Sequence, residues 1–365
     1  MHLTIAFVTL PVSRNWNRKL STLIITSMRD EAVHCLEWIA YHLGLGASHF
    51  LIYSNDCSDG TDAILDRLQD AGIVTHIPHT REGEKTIQWQ AFKAASKHKI
   101  LSQYDWAVVL DCDEYMSLGD GLEGIEDLIS ALPSGTDAIA MPWKLFGNNG
   151  HSRRPDLLTL EAYTRASADD ILLPLAYFVK SMFRPKAFRE LGVHRPKNKQ
   201  GGGAKWVDGS GVPLPAEFCE KPSRINLFGL SSGRDLVEIN HYSIRSTEDF
   251  LCKRLRGLPN RENREIGVGY WVERNFNTVE APRILRKVAQ TKSELAKLST
   301  LSTMPALLQA GLDHHAAQFT TMMDDPANVH LMWQLTLAGD SHAPSVNDYK
   351  AHADRVRIVN GYHNG

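Results

Sequence analysis

Short β-rich runs and amphipathic helical stretches alternate through the first third of the chain. Apolar, β-branched residues at 23–26, 50–53, 73–77 and 106–110 predict four strands. Helical patterns fill the intervals, with one apolar stripe ending at Gly44, a second helix starting at Thr61 or Asp62 and ending at Gly72, and a third over 88–98. This spacing is typical of βαβ units. The sequence therefore predicts an α/β fold with a mostly parallel sheet flanked by helices.

The fourth predicted strand runs directly into the acidic sequence Asp111-Cys112-Asp113-Glu114. Side chains alternate along a strand, so Asp111 and Asp113 are predicted to share a face, with Glu114 on the other as a structural residue. Two carboxylates so close repel each other unless a cation lies between them or one of them is protonated. Oxygen ligands of this kind suit Mg²⁺ or Mn²⁺ together with a phosphate-bearing substrate. A solvated acidic turn is the other interpretation.

Charged residues also follow the earlier strands. Ligands of a parallel sheet bind beyond the carboxyl ends of its strands, so these residues are expected at one edge. Arg29 is a candidate for bidentate phosphate binding, and Glu31 either orders Arg29 or caps the next helix. Asp56 either accepts hydrogen bonds from a nucleoside or forms an Asx-turn. Lys85 contacts a base or a phosphate, or belongs to a solvated charged loop.

Composition excludes several classes of protein. The chain has 365 residues, 43% of them hydrophobic and 22% charged, as in soluble globular proteins. Its 40 Lys and Arg balance 42 Asp and Glu, so the protein has no excess of positive charge that would attract nucleic acid. The 5 cysteines are scattered without a C-x-x-C pair and fit a reducing compartment. The opening MHLTIAFVTLP lacks the features of a signal peptide, so a cytoplasmic location is predicted.

The second half contributes a late histidine and basic helices. Alternation over 237–246 predicts a strand on which His241 is either a third metal or diphosphate ligand or a hydrogen-bonded structural residue, and Arg245 on the same side is a diphosphate candidate. Ser246 is predicted to cap a basic helix over 247–256, and a second basic helix is predicted over 282–298. Such helices either rest on an anionic membrane at its cytoplasmic face or are solvated. The Gly-rich stretch at 200–204 could form a lid, and residues after 341 are predicted to be a polar tail.

Several motifs in order resemble one family. They are MRDEAVHCLEWIAYHLGLG, FLIYSNDCSDGTD, QWQAF, DWAVVLDCDEY, WKLFGNNGH, LGVHRPK and INHYSIRS. Together they resemble bacterial family-2-like glycosyltransferases of the GT-A fold, in the subgroup with a D-x-D-E motif, over about residues 20–256. The resemblance implies a GT-A domain over 1–256, divided into a nucleotide-binding half (20–116) and an acceptor half (117–256). A helical extension (257–340) and the tail (341–365) follow.

The resemblance also implies an activity. It implies transfer of a sugar from a nucleotide-sugar donor, taken here as a UDP-sugar, to a glycan or lipid-linked acceptor in surface polysaccharide or glycoconjugate synthesis. Mn²⁺ or Mg²⁺ would lie at the D-x-D motif and stabilise the departing diphosphate. Asp111 and Asp113 would hold the ion. Asp113 is the expected direct ligand, and Asp111 either binds the ion as well or contacts the ribose or a metal-bound water.

The catalytic base departs from the family pattern, because the usual Glu-Asp pair of family-2 enzymes is not recognisable. A base must lie within hydrogen-bond reach of the acceptor hydroxyl. Asp208 is the first candidate and Glu217 the second, with His194 as a third that could instead anchor a loop or contact the acceptor.

Three other activities compete with sugar transfer. A haloacid-dehalogenase-type phosphatase also has D-x-D at a strand end, but requires Thr or Val where Tyr115 stands and has its acids after an early strand. A nucleotidyltransferase has a Gly-rich basic first loop, which SMRDE replaces here. An inactive sugar-nucleotide-binding module would be expected to have lost acids, whereas this chain keeps Asp56, Asp111 and Asp113.

Overall fold

The computed structural model describes residues 20–199, 203–257 and 266–359. The N-terminal segment before residue 20 and the predicted lid at 200–202 lie outside the described residues. No helix within the described ranges is both long enough and apolar enough to cross a membrane.

Short strands make up the sheets of the protein. Their bounds are β1 Thr22–Met28, β2 His49–Ser54, β3 Val74–Pro78, β4 Trp106–Val109, β5 Glu114–Leu118, β6 Ala138–Leu145, β7 Arg165–Ala166, β8 Val179–Phe183, β9 Phe188–Glu190, β10 Lys197–Lys199, β11 Trp206–Asp208, β12 Val237–His241 and β13 Val279–Glu280.

Helices connect the first strands and make up most of the C-terminal part. Their bounds are α1 Ala32–Gly44, α2 Thr61–Asp70, α3 Ile87–Ala95, α4 Ile125–Ala131, α5 Thr159–Ala162, α6 Ala216–Cys219, α7 Thr247–Arg256, α8 Val268–Val272, α9 Val288–Ser299, α10 Met304–Met322, α11 Pro326–Ala338 and α12 Val346–Val359. Short 3₁₀ turns occupy Lys99–Gln103, Pro174–Tyr177, Pro185–Ala187 and Pro282–Lys287.

One nine-stranded sheet organises the described residues. Its strand order is β3-β2-β1-β4-β8-β6-β12-β5, with β11 paired to β6. The pairs among β1 to β4 are parallel, as are β6–β11 and β6–β12, whereas β8 runs antiparallel to both β4 and β6. The predicted α/β fold, with a mostly parallel sheet, flanking helices and C-terminal helices, is confirmed. The insertion of β8 between two otherwise parallel units was not predicted.

The C-terminal helices pack on the first helix of the sheet domain. Gln290 on α9 donates from Nε2 to the carbonyl oxygen of Gly44 at the end of α1 (2.5 Å). Gly311 on α10 lies so close to α1 that an added Cβ would be 2.8 Å from the Cβ of Ala32. Burial of α1 is nearly complete, and Trp38 and Tyr41 belong to the core.

Three local predictions are corrected. Glu114 does not continue the fourth strand, because Asp111–Asp113 form a turn and Glu114 starts β5 at the far edge of the sheet. The strand predicted over 237–246 ends at His241, and Arg245 has a positive φ of 53°, so strand geometry does not extend to it. The segment after residue 341 contains the helix α12 and is not simply a polar tail.

Ser246 caps α7 as predicted. Its Oγ accepts from the backbone N–H of Asp249 (3.0 Å) and donates to the Asp249 carboxylate (2.6 Å). We expect Ser246→Ala to lower the free energy of unfolding by about 1–2 kcal/mol, because the buried end of α7 loses its cap. Urea denaturation followed by circular dichroism measures the change.

Ser345→Ala is the matched control. Ser345 makes the same two contacts with Asp348 at the exposed start of α12 (3.1 and 2.6 Å). Its loss is expected to change global stability less, since α12 lies at the periphery. Equal costs for the two variants would contradict the role assigned to the α7 cap.

Candidate functional site

A cleft of about 520 Å³ opens where β1, β2 and β4 end. Its lining includes Arg29, Glu31, Asp56, Asp111 and Asp113, all of which are sequence-predicted site residues. The predicted convergence of charged strand ends on one edge of the sheet is therefore observed. Later segments contribute further lining residues, among them Trp143, His194, His241 and Lys253.

Strained backbone marks the ends of β1 and β2. Asp30 and Asp56 have φ values of 50° and 47°, a region that non-glycine residues rarely adopt. The Asp30 carboxylate accepts from the backbone N–H and the hydroxyl of Ser58 (2.7 and 3.1 Å), which ties the two loops together. Asp59 accepts from the backbone N–H and hydroxyl of Thr61 and so forms an Asx-turn. Asp56 stays exposed beside the cleft.

Both carboxylate oxygens of Asp111 have protein partners. Gln88 on α3 donates to Oδ1 (3.0 Å), and Lys180 on β8 lies 2.9 Å from Oδ2. Lys180 is fully buried and lies 3.0 Å from the carboxylate of Glu114, which is also fully buried. Glu114 in turn accepts from the backbone N–H of Asp111 (2.8 Å) and from Nε1 of Trp143 (2.8 Å). One buried lysine thus fixes both ends of the acidic turn.

The charged groups of this cluster shift each other's pKa values. Burial raises the pKa of Glu114 to about 8, and nearby Asp111 adds to the shift, whereas Lys180 opposes it. Burial lowers the pKa of Lys180, but Asp111 and Glu114 outweigh it and raise that pKa above its ordinary value. Lys180 therefore stays cationic and neutralises the acids that face it.

Asp113 has a separate set of partners. Lys253 on α7 lies 2.7 Å from its Oδ2, and Nε2 of His241 lies 3.6 Å from its Oδ1. Burial raises the pKa of Asp113, but Lys253 and then His241 outweigh it and hold it well below its ordinary value. Burial also lowers the pKa of His241, so the imidazole is neutral at neutral pH. The two aspartates of the motif thus lie in different environments.

Basic side chains line the same cleft. Arg29, Arg81, Lys253, Arg256 and Arg274 all reach it. Arg256 lies 2.6 Å from the Glu31 carboxylate and donates to the backbone carbonyl oxygens of Arg29 and Asp30 (2.8 Å each). Glu31 therefore orders these basic side chains, which together form the basic wall of the cleft, and its own side chain does not cap α1. An anionic group of a ligand would be attracted to this end of the cleft.

Buried polar atoms without a partner point to a ligand. Oδ1 of Asn55, Oε1 of Gln88 and Nδ1 of His241 are buried and have no hydrogen-bond partner, and all three residues line the cleft. Unsatisfied buried groups cost about 1–3 kcal/mol each and are rare in folded proteins. Their convergence on one cavity favours a ligand that supplies hydrogen bonds.

One wall of the cleft is aromatic and apolar. Trp143, Leu175, Phe178, Val193 and His194 line it. The ring of His194 lies 5.5 Å from that of Trp143 and 5.4 Å from that of Phe178, centroid to centroid. Such a wall suits the apolar face of a sugar ring or another flat substituent.

Two predicted ligand-binding residues lie elsewhere. Arg245 is buried behind the acidic turn, where it donates to the carbonyl oxygen of Cys112 (2.9 Å), and it is not part of the cleft lining. Its positive φ turns it away from the side that a continued strand would have given it. Lys85 is exposed outside the cleft lining, with its ammonium 3.8 Å from the ring centroid of Trp89.

Neither carboxylate predicted as the base lies at the cleft. Asp208 is fully buried, and its oxygens accept four hydrogen bonds, from the backbone N–H groups of Ser210, Val212 and Gly233 and from the hydroxyl of Ser231 (2.7–3.0 Å). All four lone pairs are used in ordering a turn. Glu217 is exposed and paired with Arg224. His194, the third candidate, does line the cleft.

The fit to a divalent cation rests on two residues. Within the described ranges no group of three or more His, Cys, Asp or Glu is arranged around a common point for a metal. Asp113 and His241 nevertheless present an oxygen and a nitrogen 3.6 Å apart, too long for a hydrogen bond but suited to neighbouring ligands of one ion. Mg²⁺ sites commonly use one or two protein ligands and substrate phosphates. The residues present therefore fit a cation that arrives with a phosphorylated ligand.

Sequence reasoning missed Gln88, Lys180 and Lys253 as parts of the site. Gln88 belongs to the QWQAF motif, which was noted but given no role. Lys180 stands in the otherwise apolar strand sequence VKSMF, and a buried lysine in such a strand is a signal of a charged partner. Lys253 had been assigned only to a basic helix.

Comparisons with known proteins are consistent with this cleft. Residues 26–211, just over half of the chain, match the sequence profile of Glycosyltransferase family 92. A family 92 protein of Oryza sativa subsp. japonica is 22% identical over 158 residues (42% of this chain, 26% of the relative), and one of Ricinus communis is 25% identical over 170 residues (45% and 28%). The match thus spans about a quarter of the length of these curated relatives. The crystal structure of S. aureus TarS 1-349 aligns with a TM-score of 0.33 and 12% identity over 78% of this chain and 74% of that one.

Asp208 is expected to act in stability rather than at the cleft. Asp208→Asn places an amide N–H against donors, so we expect the free energy of unfolding to fall by about 1–3 kcal/mol. Urea denaturation measures this loss, and nucleotide binding at the cleft is expected to stay unchanged. Glu217→Gln is the control and should change neither property. Wild-type stability of Asp208→Asn together with lost turnover would return Asp208 to the candidate bases.

Proposed function

The chain belongs to glycosyltransferase family 92, and from that premise we propose that its cleft transfers a sugar from a UDP-sugar donor to a hydroxyl group of a glycan or lipid-linked acceptor. The observation that carries the proposal is the meeting of an acidic turn and a basic wall in one cavity that also has an aromatic wall. A nucleotide sugar has parts that match each of these surfaces.

The basic wall supports binding of the diphosphate. Negative charge on the diphosphate grows as its bond to the sugar breaks, so cations beside it stabilise the transition state more than the ground state. Arg29, Lys253, Arg256 and Arg274 lie on the lining that this group would face. Arg29 and Arg256 stand at the end of β1, next to the acidic turn.

The end of β2 supports binding of the nucleoside. Asn55 is buried with Oδ1 unpaired, while its amide N–H donates to the carboxylate of Asp56 (3.2 Å). Oδ1 is thus left to accept the imide N–H of uracil, and the exposed Asp56 carboxylate can accept from ribose hydroxyls. This arrangement is the reason for proposing a uridine nucleotide.

Mn²⁺ or Mg²⁺ would be held by Asp113 and His241 in this proposal. When bound, the cation supplies Lewis-acid stabilisation to the departing diphosphate. Asp111 has both oxygens engaged by Gln88 and Lys180, so its role is to contact the ribose or a metal-bound water rather than to bind the ion directly. Lys253 occupies the second oxygen of Asp113 and competes for it with the cation.

Alternative activities fit the contacts less well. A phosphatase of the D-x-D type is disfavoured by the sequence, because it has Thr or Val where Tyr115 stands. A module that binds nucleotide sugars without turning them over is the alternative, and a turnover measurement separates the two. The cleft keeps all three acids, Asp56, Asp111 and Asp113, which favours the enzyme.

Membrane contact through the basic helices is not part of the proposal. Lys287, Lys292 and Lys297 pair with Glu123, Glu161 and Glu294, each at 2.6 Å. On α7, Lys253 and Arg256 face the cleft. Surface polysaccharide or glycoconjugate synthesis is proposed as the process on the family resemblance alone.

Asp113→Asn tests the cation site. The variant keeps the shape of the side chain but loses the anionic oxygen, so Mn²⁺-dependent binding of UDP is expected to weaken at least about tenfold. Isothermal titration calorimetry with UDP, in Mn²⁺ and in EDTA, measures it. Asp70→Asn, an exposed acid on α2, is the control and should bind as the wild type. Equal UDP affinity in all these conditions would exclude a metal bridge.

Lys253→Met tests the competition at Asp113. Removing the ammonium group 2.7 Å from the carboxylate should tighten Mn²⁺ binding without nucleotide by about tenfold, or about 1.4 kcal/mol. UDP binding in EDTA should weaken, because the diphosphate loses a cation. Paramagnetic resonance of free Mn²⁺ measures the first effect and calorimetry the second. Lys292→Met, which removes a surface pair, should change neither; unchanged Mn²⁺ affinity in Lys253→Met would refute the competition.

A further inference from the structure

We propose that His194 is the catalytic base, and that its Nε2 takes the proton of the acceptor hydroxyl in the cleft. The inference rests on the proposed function and deepens it, because it assigns the residue that sequence reasoning had placed first at Asp208 and then at Glu217. It is carried by the orientation of one imidazole ring and by the contacts that already engage Asp111, Asp113 and Glu31.

The tautomer of His194 is set by the backbone. Nδ1 lies 3.0 Å from the carbonyl oxygen of Val179, a partner that can only accept, so Nδ1 carries the hydrogen. The lone pair is therefore on Nε2. Ser181 donates to the carbonyl oxygen of His194 (2.9 Å) and holds its backbone against β8. Among the described residues no hydrogen bond to Nε2 is formed, and His194 lines the cleft.

Acidic groups of the cleft are already engaged. Asp111 is held by Gln88 and Lys180 through its two oxygens, and Asp113 faces Lys253 and His241. Glu31 pairs with Arg256. Asp56 follows β2, where the proposed function places the nucleoside.

His241 is also unsuited to the role. Its Nε2 faces Asp113, and the proposed function assigns both side chains to the cation. Nε2 of His194, by contrast, has an open lone pair, and His194 lies on the aromatic wall of the cleft.

Surroundings of His194 suit a sugar acceptor. Its ring packs against both Trp143 and Phe178, which also contact each other, and Trp143 is anchored by its Nε1–H bond to Glu114. An acceptor ring packed on this wall would bring a hydroxyl to the imidazole edge. The unpaired Oε1 of Gln88 offers a further hydrogen-bond acceptor to the bound sugar.

The step is a single displacement that balances without any further reactant. The acceptor oxygen forms a bond to the anomeric carbon while the bond from that carbon to the diphosphate oxygen breaks, and its electron pair stays on the diphosphate. The proton of the acceptor hydroxyl moves to Nε2 of His194, which becomes an imidazolium and later releases the proton to solvent. Attack from the side opposite the diphosphate inverts the anomeric configuration.

The protonation state of His194 is compatible with this role. Burial, and after it the charge of Lys180, lowers its pKa to about 3, so the ring is neutral above about pH 4. The low basicity of the His194 imidazole is compatible with this step, because the hydroxyl proton of the acceptor becomes strongly acidic as its oxygen bonds to carbon. A weak base of carboxylate strength then removes it.

His194→Ala tests the assignment with water and azide as acceptors. The wild type is incubated with UDP-galactose, UDP-glucose or UDP-N-acetylglucosamine and Mn²⁺, and UDP release is measured. In the variant, transfer to water is expected to fall at least about 100-fold, whereas calorimetric UDP affinity stays within about twofold. Sodium azide, an anionic nucleophile that needs no base, should restore UDP release and give a glycosyl azide of inverted configuration by NMR.

Phe178→Leu is the control for a purely structural role. It disturbs the same wall without removing a base, so any loss of hydrolysis should not be recovered with azide. His194→Ala with wild-type hydrolysis, or with a loss that azide does not repair, would overturn the assignment. Failure of the proposed function looks different: the wild type would then neither bind UDP nor release it from any of the three donors, and the assignment would fall with it.

Discussion

The site depends on one buried ammonium group, that of Lys180. It lies within 3.0 Å of both Asp111 and Glu114, and no part of it reaches solvent. Two carboxylates of a tight turn would repel each other in a low-dielectric interior, and removing one partner of such a buried cluster costs about 3–5 kcal/mol. Lys180 comes from β8, the strand that runs antiparallel between β4 and β6. The inserted strand therefore has a chemical consequence, because it brings a cation beneath the acidic turn.

This arrangement gives Asp111 and Asp113 different roles. Asp111 is neutralised from below by Lys180, and its oxygens are oriented by fixed donors. Asp113 faces a lysine on α7 and a neutral histidine at the end of β12, both from the far end of the sequence. One aspartate is thus a fixed acceptor, and the other is an anion whose cation can be exchanged. An acidic turn of two equivalent ligands would not separate these roles.

Local rules account for the part of the site that could be predicted. The βαβ alternation placed Arg29, Asp56 and Asp111 at one edge of the sheet, and cap chemistry placed Ser246 at the start of α7. The roles of Asp208 and Arg245 could not be predicted in the same way. Asp208 is an acid at the end of a strand, like Asp111, but its turn folds back on it and uses its lone pairs. The direction of the Arg245 side chain could not be predicted, because the strand ends at His241 and the backbone of Arg245 itself is left-handed. Contacts with residues distant in the sequence decide which acid is available to a ligand. No periodic pattern in the sequence encodes such contacts.

In the proposed function, the basic side chains and the aromatic wall of one cleft receive different parts of the substrates. Arg29, Lys253 and Arg256 line the cleft together with Trp143, Phe178 and His194. A donor bound with its diphosphate on the cations would direct its anomeric carbon at the aromatic side. The imidazole on that side is uncharged and set among rings, so it does not attract the diphosphate. Lys180 links the two walls, since it fixes the turn through Asp111 and, through Glu114, the tryptophan of the acceptor side. Donor and acceptor surfaces are thus positioned against each other by the same buried charge.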